Sequence, residues 1–453
     1  MTLLTDLDWN FLEIFFLIII FIIGFLATYI ILPYFIEFMK KKKHVGYDIH
    51  KKSQPEIAES GGFCMVIGFL IASILLIFFF PQFFKEIFIF ILTILLSAII
   101  GLIDDRIKFR SGIKILLSLL TGGVIFLANY VGFINIVSPT IPIIDRTRLN
   151  IIYPFVIPLI LAVFTNTVNM LEGYNGEGSG TCLIAVCFLI ICGIIWNSAE
   201  AIIFAIPVIA VILPFFVYNR YPSKVFPGDI GTLSMGAMIA GITLFGSLEV
   251  AAFCALLLHI FNSFYVIYSV KGFFESSEIM EKKADVILLD DNRIKASDQK
   301  DAVLTLPRLI LAKGPLTEPE LVKNFYVISL ICGFFSIISI LFMQFTLGNL
   351  SLIIIVIVIL AFILPTSYLL IKFPRVRGII LLMIILLISG VIFLTIVDLF
   401  ILPIQFIIEL GIIRLPLNFV LIFLIFIIGF IIWYYITIKY FWNQIKKMKL
   451  EKP

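Results

Sequence analysis

A few short polar clusters interrupt an otherwise almost continuously apolar chain, and they hold the residue types that handle phosphate and metal. One is Gly101-Leu-Ile-Asp104-Asp105-Arg-Ile-Lys108-Phe-Arg110-Ser-Gly-Ile-Lys114. Adjacent carboxylates where an apolar helix leaves hydrocarbon are costly unless paired, and Arg106, Lys108, Arg110 and Lys114 supply the countercharge. A charged interfacial cap is the plainer alternative, but a helix C-terminus favours cations over two acids. Another cluster, Thr165-Asn166-Thr-Val-Asn169 running on to Glu172-Gly-Tyr-Asn175-Gly-Glu177, sets Asn166 and Asn169 three apart on one helix face. A carboxamide pair inside an apolar helix needs partners from a ligand or, as interhelical glue, from a neighbour. Asn219-Arg-Tyr-Pro-Ser-Lys224-Val-Phe226-Pro-Gly228-Asp229 leads into a helix whose amino end stabilises Asp229, a carboxylate suited to a hard cation such as Mg²⁺. Gly46-Tyr-Asp48-Ile-His50 and Ile57-Ala-Glu59-Ser-Gly-Gly62 add two acids; either alone reads as a solvated loop. The loop at about 271–324, with Arg293, Lys295, Lys300 and Arg308, is the only one long enough for a lid or small hairpin. Its Val303–Leu311 stretch reads as a strand held to an edge by Pro307. Together these groups suit a Mg²⁺-bound diphosphate, and still better an acceptor lying in the bilayer.

The elements that must carry these groups are membrane helices. The chain has 453 residues, 62% of them hydrophobic and 14% charged, which excludes an ordinary soluble enzyme. Apolar runs predict thirteen spans, at about 11–39, 61–80, 86–103, 113–131, 150–171, 180–197, 199–218, 230–246, 249–270, 325–346, 350–371, 379–401 and 416–438. With the amino terminus outside and the carboxyl terminus inside, 29 of the 33 Lys and Arg residues fall in inside segments, a strong positive-inside bias. Every polar cluster then lies on the inside, cytoplasmic face. The six cysteines sit in or beside apolar runs without metal-ligand spacing and read as core residues. The fold expected is all-α and polytopic, in the cell membrane.

The motifs, in order and spacing over about residues 11–346, resemble the polyprenyl-phosphate N-acetylhexosamine-1-phosphate transferases. They are Gly46-x-Asp48, Ile57-Ala-Glu59-Ser-x-Gly62, Gly101-Leu-Ile-Asp104-Asp105, Asn166-x-x-Asn169-x-x-x-Gly-x-Asn175-Gly176 and Tyr221-Pro-Ser-x-Val-Phe226-x-Gly228-Asp229. The eukaryotic and archaeal branch, which uses UDP-N-acetylglucosamine and dolichyl phosphate, is the nearest in pattern. The resemblance implies a ten-helix catalytic domain, 1–346, followed by a transmembrane extension, 347–453, of about three helices. It implies that Asp104, Asp105 and Lys114 are catalytic, that Asn169 and Asp229 hold Mg²⁺ (Mn²⁺ as the alternative), and that Asp48, Glu59, Asn166, Asn175, Asn219 and Phe226 line the substrate site. Arg308 matches a basic loop over the diphosphate and sugar. The family's His-Arg pair would fall on Leu304 and Thr305, which passes the sugar-contacting role to Arg293 or Lys295. Glu172 stands where a small residue or Asp is usual.

The reaction so implied is a Mg²⁺-dependent transfer of N-acetylglucosamine 1-phosphate from a UDP-sugar to a polyprenyl or dolichyl phosphate, releasing UMP and forming a lipid diphosphate sugar for glycan or cell-wall assembly. Partners are the nucleotide sugar and the lipid phosphate, with no nucleic acid; a homodimer is compatible with the sequence. Alternatives are the same chemistry on a UDP-sugar-peptide or, in a different class, a lipid-linked sugar flippase or secondary transporter. Transporters usually keep their polar groups near the bilayer midplane in repeated halves, and no repeat is visible here.

Overall fold

The computed structural model describes residues 11–137, 139–142, 145–146, 153–270, 284–299, 302–396, 407–410 and 413–450. The helices in order are α1 (Phe11–Lys41), α2 (Gly62–Phe79), α3 (Phe84–Ile107), α4 (Ser111–Tyr130), α5 (Tyr153–Leu171), α6 (Glu177–Trp196), α7 (Ala199–Asn219), α8 (Gly228–Gly246), α9 (Glu249–Ala255), α10 (Leu257–Val270), α11 (Leu306–Leu311), α12 (Glu318–Thr346), α13 (Leu352–Lys372), α14 (Arg377–Ile396) and α15 (Leu417–Leu450). Among the described residues, ten helices are long and apolar enough to cross a bilayer, or eleven if α9 and α10, bent by 67° at their junction, form one span. The chain is an integral, multi-pass membrane protein. The thirteen predicted runs each meet a helix.

The all-α expectation needs correction at the loops. Four antiparallel two-stranded hairpins occur: β1 (Val45–Tyr47) with β2 (Glu56–Ala58), β3 (Thr140–Ile141) with β4 (Asp145–Arg146), β5 (Val286–Leu288) with β6 (Ile294–Ala296), and β7 (Ile407–Leu410) with β8 (Ile413–Pro416). The hairpin foreseen in the long inside loop is β5–β6, whereas the strand read at Val303–Leu311 is wrong. Leu306–Leu311 of that stretch form α11, because Pro307 falls in a first helical turn, where no amide hydrogen is needed, and Thr305 caps it by accepting from the Arg308 amide.

Two compact units result, residues 1–139 with 148–337, and 140–147 with 338–453. The first is organised around α8. Its sequence is rich in Gly, Ala, Ser and Thr, and 89% of its most apolar stretch is buried against α2, α3, α5, α6 and α7. Small residues let membrane helices approach closely where no hydrophobic effect drives association. A Cβ at Gly101 of α3 would meet Asp229 O and Ile230 Cα at 2.5 Å, so glycine there sets how near the Asp104-Asp105 end lies to α8. In the second unit Val376, Ile379, Ile380 and Met383 are buried at the start of α14, while α13 is almost wholly exposed along its length. None of the six cysteines is in a disulfide; five are buried and Cys187 is exposed.

Candidate active site

Helix α3 ends immediately after the Asp pair, where Lys108 turns into the left-handed region (φ 54°) and its amide bonds Asp104 O at 2.9 Å. The turn lets Asp104 Oδ1 accept from the Phe109 amide at 2.6 Å, and the buried Asp104 carboxylate pairs with the Lys114 ammonium one helix on. Both side chains are almost fully buried, so each is the other's main compensation for desolvation. Lys114 also reaches Asp229 Oδ2 at 3.2 Å.

Asp105 solves a different problem. Pro227 precedes α8 and offers no capping side chain, and Asp105 caps that helix from α3, its Oδ1 accepting from the Asp229 amide at 2.6 Å. Ser60 donates to Asp105 Oδ2 at 2.8 Å. A carboxylate that would be unfavourable at the C-terminus of its own helix is thereby placed at the amino end of another. Gly228 makes the room: a Cβ there, at φ 65°, would sit 2.6 Å from Asp105 Oδ2.

Asn169 of α5 closes the cluster. With its amide nitrogen toward α8 it donates to Asp229 Oδ1 and Thr232 Oγ1, both at 3.0 Å, and its oxygen accepts from Lys114 at 3.3 Å. In the other orientation its oxygen accepts from Thr232 and faces Asp229 Oδ1, two acceptors together. A cation held by these two oxygens would relieve their repulsion in that second arrangement, and carboxylate and carboxamide oxygens are ligands that a hard divalent ion such as Mg²⁺ takes. Lys114 is the one ammonium paired with both Asp104 and Asp229, while Asp105 is held by the Asp229 amide and the Ser60 hydroxyl. Asn169 and Asp229 thus fit the group expected of them, although no group of three or more His, Cys, Asp or Glu side chains arranged as a metal cage occurs among the described residues.

A neighbouring network holds the glycine-rich turn between α5 and α6. Asn175 Nδ2 donates to Asp48 Oδ2 at 2.9 Å, its amide donates to Glu318 Oε1 at 2.8 Å, and Lys51 binds the same Asp48 oxygen at 2.6 Å while lying 4.4 Å from the Tyr221 ring centre. His50 donates from Nε2 to Gly173 O at 3.1 Å and stacks on Tyr174 at 4.3 Å; burial pulls its pKa down to about 4. Glu59 is exposed beside this network, and partial burial together with the Asp105 charge raises its pKa. Phe226 is half-buried; its amide donates to Ala58 O at 2.8 Å and its carbonyl accepts from the Gly61 amide, which ties the α7–α8 turn to β2.

Other sequence candidates lie elsewhere. Asn166 donates to Ser118 Oγ of α4 and to Ala162 O, so the two asparagines on one face serve different neighbours, α4 and α8. Asn219 is fully buried between Ser179 and Val225 O. Arg308, also fully buried, donates to the carbonyls of Ser297, Gln299, Ala302 and Val303 and so knits the inside loop together. Arg293 is on the β5–β6 hairpin, paired with Asp291 at 2.6 Å in solvent. Ser60, Thr232 and Glu318 are the partners sequence reasoning missed; Ser60 lies inside a motif, but Glu318 looks like an ordinary acidic residue in a first helical turn.

The family model for glycosyl transferase family 4 matches residues 87–247, the stretch that carries Asp104, Asp105, Lys114, Asn169 and Asp229. A protein of Saccharolobus solfataricus provisionally named as a UDP-N-acetylglucosamine–dolichyl-phosphate N-acetylglucosaminephosphotransferase is 33% identical over 233 residues, covering 51% of this chain and 71% of that one. A provisionally named glycosyltransferase of Methanocaldococcus jannaschii is 28% identical over 320 residues, 71% of this chain and 94% of its own. The phospho-N-acetylmuramoyl-pentapeptide-transferase of Streptococcus pneumoniae is 31% identical over 237 residues, 49% of this chain and 71% of its own.

Proposed function

The chain belongs to glycosyl transferase family 4, and from that premise we propose that it transfers N-acetylglucosamine 1-phosphate from UDP-N-acetylglucosamine to a polyprenyl or dolichyl phosphate, releasing UMP. The observation that carries this reading is the convergence of Asp104, Lys114, Asp105, Asn169 and Asp229 where α3, α4, α5 and α8 meet. The archaeal relative's name favours N-acetylglucosamine and dolichyl phosphate; the pneumococcal relative's name keeps a sugar-peptide donor as the second reading.

An oxygen of the lipid phosphate bonds to the β-phosphorus of the donor while the bridging bond to UMP breaks, leaving a lipid diphosphate sugar. The second pKa of a phosphate monoester lies near 6, so the acceptor is largely ionised at pH 7 and needs no obligatory base. Charge spreads over the transferring phosphoryl oxygens, and the protein's part is positioning and electrostatic stabilisation. Lys114 carries the fixed positive charge, oriented by Asp104; Asp105 holds Asp229 in place through its backbone amide. Mg²⁺, held by Asn169 and Asp229, would neutralise diphosphate charge. The site lies on the cytoplasmic face by the positive-inside bias, with the thirteen-span topology that this bias supports.

Purified protein supplied with Mg²⁺, a short polyprenyl phosphate and a panel of UDP-sugars tests the reading. UMP and a lipid diphosphate N-acetylglucosamine are expected from UDP-N-acetylglucosamine, and chelation of the metal stops both. Turnover of the UDP-sugar-pentapeptide alone would select the second reading.

A further inference from the structure

Among the described residues, seven non-glycine residues hold a positive φ. Six of them close a helix or a hairpin: Lys43, Lys108, Asn197 and Ser247 follow α1, α3, α6 and α8, while Gln54 and Asn292 lie between the strands of β1–β2 and β5–β6. Ser60, at φ 57° between β2 and α2, does neither. A side chain held in this region needs a reason elsewhere in the structure. Capping α2 is not the reason, because Gly61 precedes that helix and no side chain caps it.

The Ser60 hydroxyl turns instead to Asp105 Oδ2, at 2.8 Å, while Asp105 Oδ1 accepts from the Asp229 amide at 2.6 Å. The carboxylate is thus held by both oxygens, and a carboxylate held by one can still swing about its Cβ–Cγ bond. The backbone on either side of Ser60 is tied to the same helix end. The Phe226 amide donates to Ala58 O at 2.8 Å, the Gly61 amide to Phe226 O at 2.8 Å and the Gly62 amide to Pro227 O at 2.9 Å. Gly228 packs into the angle so formed: a Cβ there would lie 2.9 Å from Ser60 Cα as well as 2.6 Å from Asp105 Oδ2.

Resting on the transferase reading above, we infer that Ser60 is a positioning residue for Asp229. Its hydroxyl fixes the Asp105 carboxylate, that carboxylate fixes the Asp229 amide in the first turn of α8, and the amide sets where the Asp229 side chain meets Lys114 and Asn169. Small displacements of such a group are felt in the rate, because the transition state depends on preorganised charge.

Two variants test this in the full chain. Ser60→Ala removes the hydroxyl and keeps a side chain at positive φ; Ser60→Gly removes the hydroxyl and suits that backbone, so it should fold at least as well. With UDP-N-acetylglucosamine, polyprenyl phosphate and Mg²⁺, both are expected to release UMP with kcat lower by about tenfold, the scale of one hydrogen bond to a charged group, and with KM for each substrate within about twofold. In the protein without substrates or metal, amide hydrogen exchange at the amino end of α8 should quicken by about tenfold, with the rest of that helix unchanged. Wild-type kcat in Ser60→Gly, or unchanged exchange in both variants, overturns the inference and leaves the transferase reading standing. Faster exchange spread along all of α8 marks a general loosening and overturns it as well. No UMP release by the wild-type protein overturns the transferase reading and the inference with it.

Discussion

Helices α8 and α13 are of similar length and both pass for membrane spans, yet 89% of the most apolar stretch of one is buried and 6% of the other's. The difference follows from composition. Helix α13 is mostly Leu, Ile and Val, side chains as content against lipid as against protein, whereas α8 is built of small residues that let five neighbours close on it. Apolarity alone ranks α13 as the better span and says nothing of which helix organises a site. Close packing does: the cluster of Asp104, Asp105, Lys114, Asn169 and Asp229 sits at the end of the least apolar of the candidate spans, where Gly62, Gly101 and Gly231 allow backbones to meet.

Substitutions around α8 should therefore cost far more than substitutions along α13. The largest loss is expected from Lys114→Met, which strands buried Asp104 without its cation; breaking a buried pair this way typically costs about 3–5 kcal/mol, read as a fall in thermal midpoint together with loss of UMP release. Asp229→Asn keeps the shape and removes a charge, so turnover should drop roughly 100- to 1,000-fold, the scale for one preorganised electrostatic group, while the midpoint holds. Gly101→Val forces α3 from α8 and should cost about 1–3 kcal/mol, with a fall in turnover as Asp229 is displaced; a variant with unaltered stability and rate would break the link between packing and site.

Acid should weaken the loop network by a smaller amount. Burial lowers the His50 pKa to about 4 from the 6.5 of an exposed imidazole, so between these values the unfolded chain binds the extra proton. Stability then declines as pH falls from about 6.5 toward 4, and this component is absent above 6.5. His50→Phe keeps a ring against Tyr174 and should lose less midpoint between pH 7 and pH 5 than the wild type does. Leu364→Ala, on the exposed face of α13, should change the midpoint by less than about 0.5 kcal/mol equivalent.

Helix positions were legible in the sequence because a bilayer demands long apolar runs. The carboxylates and carboxamides of the cluster were legible because polar groups at the ends of such runs need a reason. Pairings were not. Nothing local says that Asp105 caps α8 rather than its own helix, or that Asn166 and Asn169, on one face, turn to different neighbours. Arg308 shows the limit most clearly: a basic residue in a loop looks like a ligand for phosphate until its guanidinium is found among four backbone carbonyls. Pro307 misled in the opposite direction, since proline starts a short helix as readily as it ends a strand.

Dependence of UMP release on the lipid acceptor tests the central claim most directly. With UDP-N-acetylglucosamine and Mg²⁺ present, the purified protein should release UMP only when polyprenyl phosphate is added, one UMP for each lipid diphosphate sugar formed. UMP released equally without the lipid, or none released with it, would contradict a transferase built around Asp104, Asp105, Lys114 and Asp229.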